Sequence, residues 1–350
     1  MSLNFTEHEV IKIIAKLINV NPSLVKKEIF QNGGLATQID GDISLYRADS
    51  LKIISKTRTT GFYSKIGERV DSDRSRGIFE LWIDAPHRIK NNHKRESHIY
   101  ENIDSKFKEN LPMYYGNSCD EEQGIIFLEY LENNEDINEF DTKSSINFIA
   151  SLHKFYYENE EQCNNMDIYI QSSDDFLESK SVYLKLIDCI QNHYTDYEKY
   201  LCDLKTFVNK IEDLFLEIVK YGRTFCHGDF CHANMIKNNG ELKFFDWEAA
   251  GYFNPEFDVV TFLARSANTL SDKYIINVLG EYYNKNHNRN DKKDYQRSLL
   301  INLHLVFLYG YSWILSMFIE VENKDFVRFE MSKFIHLYDF LKNKDLEKLI

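Results

Sequence analysis

The spacing of apolar residues changes about a third of the way along the chain. In the first twenty residues Val10, Ile13, Ile14, Leu17 and Ile18 fall on one helical face. Thr6-Glu7-His8-Glu9 opens that helix as a capping box, and Asn21-Pro22 closes it. From Leu24 to Lys56 the apolar runs are short. VKKEIF, DISLYR and SLKIIS are separated by QNGGLATQ and ADS, which predicts strand, loop, strand, turn, strand. Residues 57–78 are polar and basic and read as a loop or an insertion, and IFELWID (78–84) reads as a further strand. Arg95 to Ile103 predicts a helix, with Ile99 and Ile103 four apart. LPMYYG (111–116) and GIIFLEYL (124–131) predict two more strands.

Beyond Asn133 helical spacing takes over. Ile146, Ile149, Ala150 and Phe155 mark a helix within 144–159, and long helical patterns follow at 177–195 and 198–221. Residues 223–253 interrupt them with loop, strand, turn and strand, and helices resume from 256 to the end. The pattern predicts an α+β molecule of two lobes: β-rich over 1–131 and α-rich over 132–350.

Composition narrows the function classes. A chain of 350 residues, 43% hydrophobic and 28% charged, is long enough for two lobes with real cores. Its 25 Phe and 22 Tyr supply the burial that disordered chains lack. A net charge of −13 opposes nucleic acid as a partner. It is compatible with a cationic small substrate, though solubility alone accounts for it. The six Cys have no regular spacing, and residues 1–20 carry Glu7, Glu9 and Lys12 where a secretory signal would be apolar. Free thiols in a reducing cytoplasm are expected. The most apolar stretch, LVFLYGYSWILSMFI from Leu305 to Ile319, is 15 residues. That is shorter than the roughly 18–20 that span a bilayer, so it predicts a buried helix and no membrane partner. Oligomeric state stays open.

The chemistry concentrates in CHGDFCHAN, Cys226 to Asn234. Cys226, His227, Cys231 and His232 suggest a metal site. Both the Cys pair and the His pair are five apart, however, and no second ligand pair follows, so the spacing is not that of structural zinc. Phosphoryl transfer needs a carboxylate to orient and deprotonate a hydroxyl, and oxygen ligands for Mg²⁺. Asp229 and Asn234 have the spacing of that catalytic loop. Asn238-Asn239-Gly240 between apolar runs predicts a hairpin that returns Asp246 beside Asn234.

HGDFCHAN followed by FFDWE resembles the signature of the aminoglycoside phosphotransferase and choline kinase-like family. GYFNPEFDVVTFL (251–263) and SLHKF (151–155) are similar to further stretches of that family. The resemblance covers roughly two-thirds of the chain in outline and is specific in the α-rich lobe. It implies the protein-kinase-like two-lobe fold, ATP and Mg²⁺ as cofactors, and O-phosphorylation of a small molecule that is aminoglycoside-, amino-alcohol- or sugar-like. Gly228 stands where protein kinases have Arg, and only 12 residues separate Asp246 from Asp258, too few for a long activation segment.

The resemblance also implies roles for individual residues. Asp229 is the base and His227 supports its loop, while Asn234 and Asp246 hold Mg²⁺. Asp258 is a structural carboxylate. Gly33 and Gly34 would let backbone N–H groups approach the phosphates. Lys56, with Lys52 as the other choice, reaches the α/β-phosphates and is fixed by Glu96. Ile54 shares the Lys56 face, against the adenine. The Glu129 carbonyl and the Leu131 amide bind the adenine edge. Glu248 orients a metal-bound water or helps hold a cationic acceptor. The acidic runs ENNEDINEFD (132–141) and ENEEQ (158–162) suit a polycation, or are ordinary exposed helix ends. About 40 residues separate Lys56 from Glu96, which is longer than is usual in the family. The rival class is a kinase-like protein that binds nucleotide without turnover, and ADP release in the presence of acceptors separates the two.

Overall fold

A computed structural model of the chain describes residues 5–28, 43–59, 92–120, 123–132, 137–166, 168–266, 270–286, 291–311 and 324–350. Helix α1 (Glu7–Leu17) begins at the expected capping box, where the Glu9 amide donates to Thr6 Oγ1 at 3.3 Å and the Thr6 amide donates to the Glu9 carboxylate at 2.7 Å. Val10, Ile14 and Ala15 are its buried face. Strands β1 (Val25–Glu28), β2 (Ile43–Ala48) and β3 (Leu51–Thr59) follow. After α2 (Asn92–Asn102) and the short α3 (Ser105–Lys108) come β4 (Tyr114–Cys119) and β5 (Gln123–Glu129). The five strands form one sheet in the order β1-β2-β3-β5-β4, antiparallel throughout.

GIIFLE is a continuous apolar run because β5 is covered on both faces. Ile125 and Phe127 pack with α1, while Ile126 and Leu128 pack with Ile99 and Ile103 near α2. β4 starts later than the expected 111–116. Leu111 closes the turn after α3 through its amide to the Lys108 carbonyl, and Pro112 has no N–H to give a ladder. Of the segment expected as a loop at 57–78, Thr57, Arg58 and Thr59 instead continue β3 against β5; its remainder, the strand expected at 78–84 and the glycine pair at 33–34 lie outside the described residues.

The second lobe is built on α4 (Glu139–Tyr156), then β6 (Tyr169–Ile170), α5 (Ser173–His193), α6 (Glu198–Asn209) and α7 (Ile211–Lys220). The helical pattern expected over 198–221 divides at Lys210, which leaves the helical region at ψ 16°. A small sheet then forms from β7 (Thr224–Cys226), β10 (Gly251–Phe253) and β6. Between β7 and β10 stands the hairpin of β8 (Met235–Asn238) and β9 (Glu241–Phe244). Asn239 and Gly240 turn it at φ 52° and 80°, the paired positive values of a type I′ turn.

Helices α8 (Glu256–Ser266), α9 (Asp272–Lys285), α10 (Lys292–Val306), α11 (Lys324–Asn343) and α12 (Leu346–Leu349) complete the chain. The expected apolar helix at 305–319 is the tail of α10, widened to a π-turn over Phe307–Tyr311; residues 312–319 lie outside the described set. Among the described residues no helix is long and apolar enough to cross a membrane.

The lobes meet along α2, α4 and the hairpin. Phe244 of β9 stacks on Phe148 of α4 with centroids 4.1 Å apart, and its amide donates to the Asn110 carbonyl at 2.8 Å.

Candidate active site

Strand β7 delivers the chain into the loop that begins at His227. Asp258, in the first turn of α8, supports that loop from beneath. Its Oδ2 accepts the His227 amide at 2.7 Å and its Oδ1 the Gly228 amide at 2.8 Å. His153 Nε2 lies 3.1 Å from the same Oδ2, in a fully buried setting. A buried carboxylate thereby has its acceptor sites filled. Gly228 is at φ 81°, and a Cβ there would run into the Ala249 carbonyl oxygen. The loop and the turn after β9 therefore touch where only glycine fits.

His227 is neutral. Burial pushes its pKa down, against the pull of Asp258 and Asp246. Its Nε2 donates to the Phe245 carbonyl at 3.0 Å, and its Nδ1 accepts the Asp229 amide at 3.3 Å. That pattern requires the Nε2–H tautomer. The ring packs on Trp247 with centroids 4.4 Å apart. Its place is structural: it ties the loop to the end of β9.

Both oxygens of Asp229 have partners. Asn234 Nδ2 donates to Oδ2 at 2.9 Å and also to the Asp229 carbonyl at 2.8 Å. Arg265, at the end of α8, forms an ion pair with Oδ1. The amide nitrogen of Asn234 is committed to Asp229, so its oxygen is the end that would meet a cation. The Phe245 amide donates to the Asn234 carbonyl at 3.1 Å, which sets Asp246 beside the loop. Asp246 adopts a left-handed backbone at φ 65°, uncommon for a residue with a side chain.

Lys56 spans the lobes. Its Nζ lies 2.6 Å from Glu96 on α2, pairs with Asp246, and is 3.2 Å from Glu248. Burial alone would lower its pKa, but Asp246, Glu248 and Glu96 outweigh that and raise it, so the ammonium stays charged. Burial pushes the Glu96 carboxyl up, with Lys56 opposing. Glu96, Asp246 and Glu248 each offer an oxygen within 4.8 Å of the others. These are hard donors of the kind Mg²⁺ takes, and the Lys56 ammonium stands among them, so a metal ion would share Asp246 and Glu248 from the side away from Lys56.

The other expected residues are placed as follows. Lys52, near the start of the central strand β3, pairs with Glu132 and not with Asp246. Ile54 pairs with Leu128 across β3 and β5 and is half-buried. Glu129 and Leu131 line a cleft of about 620 Å³ with Tyr100, Met113 and Lys243, and the Glu129 carboxylate accepts the Met113 amide at 3.1 Å. Gly33 and Gly34 lie outside the described residues. Cys226 and Cys231 are buried and stay protonated: burial pushes the Cys226 thiol far up and the Cys231 thiol to about 12. They are packing residues. In the acidic runs, Glu160 pairs with Arg223 and Asp141 with Lys237, so part of that charge is matched within the fold.

Three arginines escaped the reading of the sequence. Arg265 is on Asp229. Arg58 Nε donates to Glu248 Oε2 at 2.7 Å, and Arg95 Nη1 donates to the Glu248 carbonyl at 2.9 Å. Each had a signal. Arg58 shares a strand face with Lys56, Arg95 adjoins Glu96, and Arg265 lies two helical turns beyond Asp258 on the same face.

Residues 146–291 match the model of a family described as the phosphotransferase enzyme family. No curated protein matches the chain at a significant level. Among solved structures, a choline kinase from Cryptosporidium parvum superposes with a TM-score of 0.54 at 11% identity, covering 97% of this chain and 96% of that one. A choline kinase from Streptococcus pneumoniae gives 0.54 at 17% identity, covering 95% and 99%. An aminoglycoside phosphotransferase from Alicyclobacillus acidocaldarius gives 0.51 at 12% identity, covering 93% and 95%. At these identities the shared property is the fold, the two-lobed one expected from the sequence.

Proposed function

We propose, for a chain whose residues 146–291 match the model of the phosphotransferase enzyme family and whose fold is similar to that of two choline kinases, that it transfers the γ-phosphoryl group of ATP to a hydroxyl of a small molecule. The observation that carries this reading is the position of Lys56. It reaches from the five-stranded sheet to Asp246, on the turn that the Phe245–Asn234 hydrogen bond fixes next to Asp229. A phosphate-binding cation, metal-type oxygens and a carboxylate base thus converge between the lobes.

In this reading the acceptor hydroxyl donates to the Asp229 carboxylate, and its oxygen attacks the γ-phosphorus. The bond to the β–γ bridging oxygen breaks, ADP leaves, and the hydroxyl proton ends on Asp229. Asn234 and Asp246 would hold Mg²⁺, with Glu248 beside them. The ion would supply neutralisation of phosphate charge. Lys56, steadied by Glu96, would hold the α/β-phosphates. The Glu129 carbonyl and the Leu131 amide would meet the adenine. His227 keeps the loop in place and moves no proton. Residues 1–131 and 132–350 would act as nucleotide lobe and acceptor lobe.

The acceptor belongs to the aminoglycoside-, amino-alcohol- or sugar-like alcohols. The test is ADP release from Mg·ATP against a panel of such alcohols, for the natural chain and for Asp229→Asn. Turnover by the natural chain, lost by at least about 10²-fold in the variant while nucleotide still binds, is the expected result. Equal turnover in both would remove Asp229 from its role.

A further inference from the structure

Lys56 alone faces three carboxylates: Glu96, Asp246 and Glu248. One positive charge among three buried or half-buried carboxylates leaves a net negative charge, even with one N–H for each. Arg58 answers this imbalance. It lies two residues beyond Lys56 on the same face of β3 and is 6% exposed. Its Nε is 2.7 Å from Glu248 Oε2, closer than the 3.2 Å between Lys56 and that same oxygen. From α2, Arg95 takes the backbone carbonyl of Glu248 at 2.9 Å. Side chain and backbone of one residue are thus gripped by two arginines from two elements. The neighbour of Arg95 is Glu96, which holds Lys56.

We infer that Arg58 is a positioning residue that acts through Glu248. It shares Glu248 Oε2 with Lys56 and, as the closer of the two cations, holds that carboxylate beside Asp246, so the oxygen face for the divalent cation exists before nucleotide arrives. Without Arg58, the Glu248 carboxylate is left to Lys56 and closes on it from 3.2 Å. Lys56 is then drawn from Glu96, and both the metal face and the phosphate lysine lose their places. A guanidinium suits this task, because its rigid fork fixes a carboxylate's direction where an ammonium fixes only its distance. The inference rests on the kinase reading above.

The experiment measures Mn²⁺ binding by the loss of the free-ion paramagnetic resonance signal, with saturating non-hydrolysable ATP analogue. It compares the natural chain with Arg58→Met, Arg58→Lys, Glu248→Gln and the Arg58→Met/Glu248→Gln pair. Binding of the analogue in EDTA is measured alongside. Arg58→Met is expected to raise the half-saturating Mn²⁺ concentration about tenfold, the scale for losing a residue that orients a metal ligand. Metal-free analogue binding should change less than about twofold, Arg58→Lys should recover part of the loss, and Arg58→Met should add nothing in the Glu248→Gln background. A fall in thermal stability does not by itself produce this pattern. If Arg58→Met does not fold, Arg58→Lys against Glu248→Gln makes the same comparison. An unchanged Mn²⁺ midpoint overturns the inference. So does an equal loss of metal-free binding, which would put Arg58 on the phosphates, or an additive double variant. If the natural chain binds no Mn²⁺·nucleotide, the kinase reading falls and takes the inference with it.

Discussion

Arg265 and Asp258 project from the same face of α8 onto the same loop: Asp258 binds the amides of His227 and Gly228, and Arg265 binds the carboxylate of Asp229. One helix thus orients both the backbone of the loop and the Asp229 side chain. In the proposed reaction an acceptor hydroxyl would share Asp229 with Arg265 and Asn234. The guanidinium fixes which lone pairs of the carboxylate face the incoming oxygen.

Removing that restraint should affect chemistry more than nucleotide binding. Arg265→Ala is expected to lower kcat about ten- to a hundredfold, with the ATP dissociation constant unchanged, because a misdirected base loses near-attack geometry. Arg265→Lys keeps the charge and should recover only part of the rate. Steady-state kinetics beside nucleotide titration decides this, and a variant with full kcat would remove Arg265 from the site.

Lys56 and Glu96 are 8% and 6% exposed along their side chains, so breaking the pair strands a charge. Lys56→Met should destabilise the fold by about 3–5 kcal/mol and raise the KM for ATP. Lys56→Met with Glu96→Leu should regain most of the stability but none of the KM. Urea unfolding of the three chains is the measurement. A double variant no more stable than Lys56→Met would show that Glu96 needs no counterion.

Gly228 and Gly240 have nearly the same φ, 81° and 80°, but a Cβ at Gly228 meets the Ala249 carbonyl whereas one at Gly240 meets nothing within 4 Å. Gly240→Ala should therefore cost only its backbone strain, about 1–2 kcal/mol, and leave kcat alone. Gly228→Ala should cost more, and kcat should collapse as the loop moves off the Asp246 turn. Melting temperatures and rates of the two variants give the comparison.

His304 is fully buried among Tyr200, Phe207 and Tyr338, and burial depresses its pKa from 6.5 to about 4. The folded state binds its proton less readily than the unfolded state. The related stability is complete above pH 6.5 and is lost as pH falls from 6.5 towards 4, reaching about 3 kcal/mol. His304→Gln should flatten the acid side of the stability curve in that window. Denaturant midpoints between pH 7.5 and pH 4.5 test it, and parallel curves for the two chains would exclude His304 as the source.

What could be read from the sequence follows from how locally each feature is determined. Asp229, Asn234 and Asp246 lie within eighteen residues of one another, joined by a hairpin whose turn chemistry is explicit at Asn239-Gly240, so their proximity needed no tertiary information. Lys56 against Lys52 could not be settled that way. The two share a strand face, and only the packing of α2 and the hairpin sends Lys56 to Asp246 and Lys52 to Glu132. Arg58 fell in the stretch that reads as a polar loop and Arg95 only marked a helix start, because their partner, Glu248, is more than 150 positions away. Lys210 was invisible as a helix break because it is an ordinary helix former, and tertiary packing overrides its propensity there.

The hydrogen bond from Phe244 to the Asn110 carbonyl has a mechanical consequence. It pins the turn after α3 to the strand that leads into Asp246, so the two lobes share a fulcrum at that point. Were the sheet to rock against the second lobe about that bond, the pair of Lys56 with Asp246, which crosses between the lobes, would have to stretch. The spacing of Asp229, Asn234 and Asp246 would be spared, because all three belong to the second lobe and are tied by the Asn234–Asp229 and Phe245–Asn234 hydrogen bonds.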